Sequence, residues 1–159
     1  MITMFITQIL LFHILFLAQA KEPPLLKNMT QKSMVIPSGH MIKAYLAKTM
    51  EEQERGLSGT KDKDFGPQMA MIFIYKETKP QRFWMPDTYF DLDIFFLNKE
   101  MIVIDVDRKV PHHPGRNTPP KIANTRTIMA RHVLEMRADS PVSQKIKKGT
   151  KIILLDQQK

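Results

Sequence analysis

Cysteine is absent from the 159-residue chain. That excludes a disulfide framework, a thiolate zinc site, a cysteine nucleophile and lipid attachment through a cysteine. No Gly-rich phosphate loop, serine nucleophile elbow or His-Glu-x-x-His stands anywhere in it, so catalysis has no positive signature. Internal repeats and low-complexity segments are also missing, and tryptophan occurs once. What is present is the composition of an ordinary globular chain, 43% hydrophobic and 25% charged. A chain of this length can bury one sizeable core, and two are not expected.

Asp, Glu, Lys and Arg are lacking throughout Met1–Ala20. Ile9-Leu10-Leu11-Phe12-His13-Ile14-Leu15-Phe16-Leu17 is an apolar run, and Ala18-Gln19-Ala20 is a small-x-small pattern before Lys21. A bilayer span needs about 20 apolar residues, so this run is too short for one and suits a signal-peptide core. The expected product is an exported, periplasmic or secreted chain beginning at Lys21, with no transmembrane segment and carrying the whole net charge of +8. Export makes nucleic acid an unexpected partner for that charge. An anionic envelope polymer or a carbohydrate becomes the counterpart, and solubility is the plainer use of the same charge.

Residues 21–31, with Pro23-Pro24, read as a flexible lead-in to a single domain over 32–159. Ser33–Ile36 is a short strand, and His40–Lys48 alternates to put Ile42, Ala44 and Leu46 on one face of a second. Thr49-Met50-Glu51-Glu52 is a capping box opening a short helix that Gly56 stops. Met69–Tyr75 is an apolar run of strand length. Leu92–Leu97 and Met101–Asp107 flank Asn98-Lys99-Glu100 as a hairpin. Val110–Thr127, with four prolines and no periodicity, is a long surface loop; Ile128–Met136 resumes as a strand. Ser140-Pro141 starts a second short helix, and Lys151–Leu155 is a last strand. With no βαβ rhythm, this pattern predicts a mainly β fold, a single antiparallel sandwich or barrel with two short helices.

Five blocks follow one another at characteristic spacings: Glu54-Arg55-Gly56-Leu57, Ala70–Tyr75, Phe83-Trp84-Met85-Pro86-Asp87-Thr88, Leu92-Asp93-Ile94-Phe95-Phe96 and Val133-Leu134-Glu135. Together they resemble domain-of-unknown-function family 192, small and often exported domains, over roughly His40–Leu155. The resemblance implies a compact, mainly antiparallel β fold of jelly-roll or barrel type and supplies no activity. This chain has Ser58 where the family usually reads Met, Pro86-Asp87 where it reads Lys-Asn, and Asp91 where it reads Pro.

Trp84, with Arg82 and Phe83 before it, reads first as a core anchor and second as a stacking platform for a sugar ring. Asp87, Asp91 and Asp93 fall within seven residues. Paired carboxylates could serve as acid and base or hold a divalent cation, whereas Asp87 and Asp91 also suit turns. Asp91 and Asp93 would share a strand face. Asp93, set in an apolar strand, requires a cationic partner, and Arg55 is expected first and Arg82 second. Glu135 is another acid among apolar neighbours, with Arg131 expected on its face. His112 and His113 point opposite ways on an extended chain and read as loop residues without a metal. Twelve methionines without a tight cluster read as core.

The reading is a non-catalytic binding or accessory domain of the cell envelope. Its candidate ligand surface is formed by Arg55, Trp84, Asp87, Thr88 and Asp93, with Glu135 behind it. No catalytic residue, metal ligand or cofactor is assigned. The alternative is a carboxylate-dependent hydrolase of an envelope polysaccharide, drawing an acid pair from Asp87, Asp91, Asp93 and Glu135. Export is checked by mass analysis of the protein from the envelope of its native cells. The mature chain should begin at Lys21, and an intact Met1 would refute cleavage.

Overall fold

The computed structural model describes residues 26–155; the leader expected over Met1–Ala20 lies outside the described residues. Seven strands form one sheet: β1 (Thr30–Val35), β2 (Met41–Ala47), β3 (Met69–Gln81), β4 (Leu92–Leu97), β5 (Val103–Val110), β6 (Ile128–Arg137) and β7 (Ile153–Leu154). Their order across the sheet is β5-β4-β6-β3-β2-β1-β7. One helix, α1 (Met50–Arg55), and two single 3-10 turns, Asp62–Asp64 and Ser143–Lys145, complete the regular structure.

The sequence led to an all-antiparallel sandwich or barrel with two helices, and the fold departs from that in three respects. There is a single sheet, curled into a half-barrel, rather than two stacked layers. It is mixed, because β2 and β3 run parallel, from Lys43 opposite Met69 to Ala47 opposite Phe73. Parallel neighbours need a crossover, and α1 with the loop after it supplies one that is too short in helix to read as a βαβ unit. The second helix reduces to a 3-10 turn whose N-cap is Val142 rather than Ser140, although Ser140 Oγ accepts from the Ser143 amide at 3.2 Å. Leu26 and Met29, within the stretch read as a lead-in, are buried in the core, so the packed unit starts before β1.

Alternation along the strands divides the core in two. Ile42, Ala44 and Leu46 of β2, Ala70 and Ile72 of β3, Phe95 and Leu97 of β4, and Leu134 and Met136 of β6 share one cluster with Met34 and Ile152. That cluster draws on strands near both edges of the sheet, which places it inside the curl. Residues just before the two edge strands touch through the isolated antiparallel Ile102–Lys151 bridge. The alternate residues, Tyr45, Met71, Phe73, Ile94, Phe96 and Val133, form a second cluster on the outer face. Loop residues Leu57, Phe65, Met85 and Phe90 cover it, and Phe65 stacks on Phe90 at 5.4 Å.

Asp93 has the alternation of Phe95 and Leu97 and so points inward, fully buried. Its partner is neither Arg55 nor Arg82 but Arg108 of β5, whose Nη1 lies 2.6 Å from Oδ2. Ser143 Oγ donates to the same oxygen at 2.5 Å, Gln144 Nε2 at 3.2 Å, and the Lys109 amide donates to Oδ1 at 2.9 Å. Arg108 also donates to the carbonyls of Ser143 and Ile146. One carboxylate thereby joins β4, β5 and the 140–146 segment that closes one end of the curl. Asp91 is not on its strand face. It stands before β4 and pairs with His112 at 2.7 Å.

Breaking a buried pair by removing one member costs about 3–5 kcal/mol. Asp93→Ala should therefore lose roughly 3 kcal/mol in denaturant unfolding, at the low end of that range because Arg108 reaches water. Arg108→Ala should destabilise comparably, and the double variant by less than the sum of the two. Arg55→Ala should leave stability nearly unchanged, and a loss matching that of Asp93→Ala would contradict this assignment.

Candidate functional site

The outer face carries a pocket of about 400 Å³ between α1, the ends of β3 and β6, and residues 81–88. Three local features shape it. The capping box expected from the sequence is present: Thr49 Oγ1 accepts from the Glu52 amide, and Glu52 reaches back to the Thr49 amide at 2.9 Å. Gln53 Nε2 then ties α1 to the Ile74 carbonyl at 3.0 Å. Gly56 ends the helix at φ +52°, and a Cβ there would stand 3.3 Å from the Phe73 ring, so only glycine lets the chain descend over that ring. Arg55, in the last helical turn, is left facing the pocket.

The segment 82–88 runs extended beside the long loop. The Met85 amide donates to the Ala123 carbonyl and the Thr125 amide to that of Phe83. An extended chain alternates, and its phase sends Phe83 and Met85 inward. Phe83 packs edge-on against Phe73 at 4.7 Å, and Met85 is buried. Trp84 consequently faces out, 60% exposed, and is not the core anchor that was the first reading. It sits at the pocket's rim, where the second reading, a stacking platform, is geometrically available.

The pocket floor is polar without being satisfied. Glu135 has the alternation of Val133 and faces the outer side, only 4% exposed, and its Oε2 has no hydrogen-bond partner. Arg131, expected to neutralise it, makes no ion pair with it, and its own Nε lacks a partner. Burial alone pushes the Glu135 carboxyl from its ordinary 4.5 to about 8. Beside it, burial and then the Glu135 charge push the Tyr75 phenol well above its usual range. Arg55 Nε and the buried Gln81 Nε2 also lack acceptors. Three residues that each carry an unpartnered polar atom thus line a cavity walled by Phe73, Phe83, Met85 and Leu92. Concave, mostly apolar walls with a few convergent polar groups are the usual construction of a ligand site.

Of the six residues expected to form one surface, the pocket brings together Arg55, Trp84, Thr88 and Glu135. Thr88 contributes as structure, buried and donating to the Pro86 carbonyl at 3.2 Å. Asp87 turns aside to accept from Tyr89 Oη at 2.9 Å. It takes φ +52°, a conformation Asp and Asn tolerate better than other side chains. Asp93 lies across the sheet on the inner face. Asp87, Asp91 and Asp93 are therefore all elsewhere, and no second member of the expected acid set faces Glu135 across this cleft. Sequence reading missed Gln81, Tyr75 and Arg116, which gave no sign of their role because nothing local shows that a strand end and a distant loop line one cavity.

A wider hollow of about 490 Å³ lies near Tyr89 and Phe90, but most of its charges are already paired. Arg137 bridges Asp62 and Asp139, and His112 holds Asp91. His113 is buried and bonded to the carbonyls of Gly115 and Pro120. Among the described residues no group of three or more His, Asp or Glu is placed to hold a metal ion.

The family model DUF192, described as "Uncharacterized ACR", matches residues 33–154. No curated protein matches the chain. Two solved structures share the fold. A "putative transcription regulator" from Sinorhizobium meliloti 1021 is 24% identical, with TM-score 0.63 over 79% of this chain and 95% of that one. A protein of unknown function from Novosphingobium aromaticivorans DSM 12444 is 25% identical, with TM-score 0.60 over 79% of this chain and 84% of that one. At such identity the first shows the fold alone.

An acid held near 8 in the folded chain and near 4.5 when unfolded binds its proton more tightly in the native state. The contribution of this group to stability is then full below pH 4.5, declines as pH rises to about 8, and is lost above that. Glu135→Gln should match the parent protein within about 1 kcal/mol at pH 5. At pH 9 it should be several kcal/mol more stable, with a melting temperature higher by on the order of 10 °C. Equal melting of the two proteins at pH 9 would mean that Glu135 is solvated.

Proposed function

We propose that this chain, which belongs to domain-of-unknown-function family 192, is a binding or accessory domain of the cell envelope that holds a ring-bearing ligand without transforming it. The observation that carries this reading is the unsatisfied floor of the pocket. A buried carboxyl without a partner costs stability, and such costs persist where a site needs the group. The protonated Glu135 both donates and accepts, while Gln81 and Arg55 donate. Trp84 at the rim offers an indole face. That combination fits a carbohydrate, whose ring stacks on an aromatic and whose hydroxyls pair with fixed polar groups. The charge-free apolar leader and its small-x-small end support export, and so an envelope polymer as the source of the sugar.

Trp84 is the only tryptophan, so its emission reports on this pocket alone. Titrating the refolded domain with a panel of neutral and acidic envelope oligosaccharides should shift or quench that emission for at least one. Gln81→Ala should weaken the same response by roughly tenfold, the worth of one buried hydrogen bond. The oligosaccharide should be recovered intact. Release of new reducing ends, abolished in Glu135→Gln, would instead establish the hydrolase. A flat response across the panel would overturn ring binding.

A further inference from the structure

We infer that the pocket beneath Trp84 selects a sugar ring bearing an anionic group, with Arg55 as the residue that grips the anion. This rests on the ring-binding reading and adds the ligand's charge class to it. Arg55, Arg82 and Arg116 all line the cavity, against Glu54 and Glu135. Arg82 is already committed through Nε and Nη2 to Asn124 Oδ1, at 3.1 and 2.6 Å. Arg55 is different: it is half-buried, no described acid pairs with it, and its Nε has no acceptor. A guanidinium at the wall of a cavity, with its buried Nε lacking an acceptor, has the donor geometry that matches the planar oxygens of a carboxylate or a phosphate.

Glu135 sets the sign of the field. The charged or titratable groups facing it are Glu54 and Arg55 from α1, Tyr75 from β3, and Arg82 and Arg116 from the loops, with Arg131 on its own strand face. Its register neighbours Met71 on β3 and Ile94 on β4 are apolar. Below about pH 8 the carboxyl is neutral, which leaves three arginines against Glu54 and a net positive cavity. Ionisation above that pH puts a second negative charge on the floor, opposite the anion. Tyr75 stays neutral across the same range, because its shift is upward. The Glu135 carboxyl therefore changes charge between neutrality and pH 9.5.

The experiment follows Trp84 emission during titration with trigalacturonate, its methyl ester and galactose 6-phosphate. At pH 6.5 an acidic probe should bind about tenfold or more tightly than the ester, and Arg55→Lys, which keeps the charge but not the fork, should erase most of that preference. Affinity for the acidic probe should fall on the order of tenfold by pH 9.5, and Glu135→Gln should flatten that dependence. Binding by galactose 6-phosphate alone, lost in Arg55→Lys, supports the anion grip and names phosphate as the group. An ester that binds as well as the acid overturns the charge assignment and leaves ring binding standing. Silence from all three probes, with the wider panel silent too, overturns both.

Discussion

The closed end of the sheet depends on one buried carboxylate. Asp93 is inaccessible to water, and an ion so placed is tolerable only where every lone pair finds a donor. It finds four, from Arg108, Ser143, Gln144 and the Lys109 amide. These come from β5 and from the short segment after β6, whose Val103, Val142 and Ile146 share the inner cluster as well. Arg108 carries the network further, to the carbonyls of Ser143 and Ile146, and lies over the Phe95 ring at 5.0 Å. The same segment seats Val142 and Ile146 in the inner cluster, so the bonded charge and the apolar contacts together hold that end.

Glu135 is the counterpart across the sheet. In the β4–β6 ladder Asp93 stands opposite Met136, and Glu135 opposite Ile94. One step of register separates the two acids, and on a pleated sheet one step exchanges faces. The inner acid is fully bonded and serves the fold. The outer one has an oxygen without a partner and burdens it. A half-satisfied buried polar group is worse for stability than an apolar one, so the two acids report different demands on one sheet: architecture on the inside, recognition on the outside.

The aromatic block shows how far local reading reaches. Phe83-Trp84-Met85 announces a buried stretch, and two of the three side chains are indeed packed. Which two depends on phase, and phase is set by pairing with residues 123–125, some forty positions away in sequence. The indole is pushed to the surface by the same alternation that buries its neighbours. Similarly, Arg55 stands within one of the family blocks and Arg82 just before another, yet both line the outer-face pocket, across the sheet from Asp93. Arg108 lies in a strand whose sequence gives it no distinction.

Composition and pattern determined a mainly β fold, the positions of β1 to β6 within a few residues except for the far end of β3, which runs on to Gln81, the capping box at Thr49, the stop at Gly56, the Asn98 hairpin and the proline-rich loop. All of these rest on period, on backbone restriction or on hydrogen bonds within a few residues, and such information is local. Also local was the requirement that Asp93 have a partner, since burial of a charge can be inferred from its strand. The tertiary structure alone decided that the sheet is one curled layer with β2 parallel to β3. It alone decided that Arg108 answers Asp93, and that Gln81 joins Arg55, Glu135 and Trp84 at one cavity while Asp87 and Asp93 stand outside it. Those outcomes turn on strand order and register, where a shift of one residue sends a side chain to the opposite face, and no property of the side chain itself encodes which face that will be.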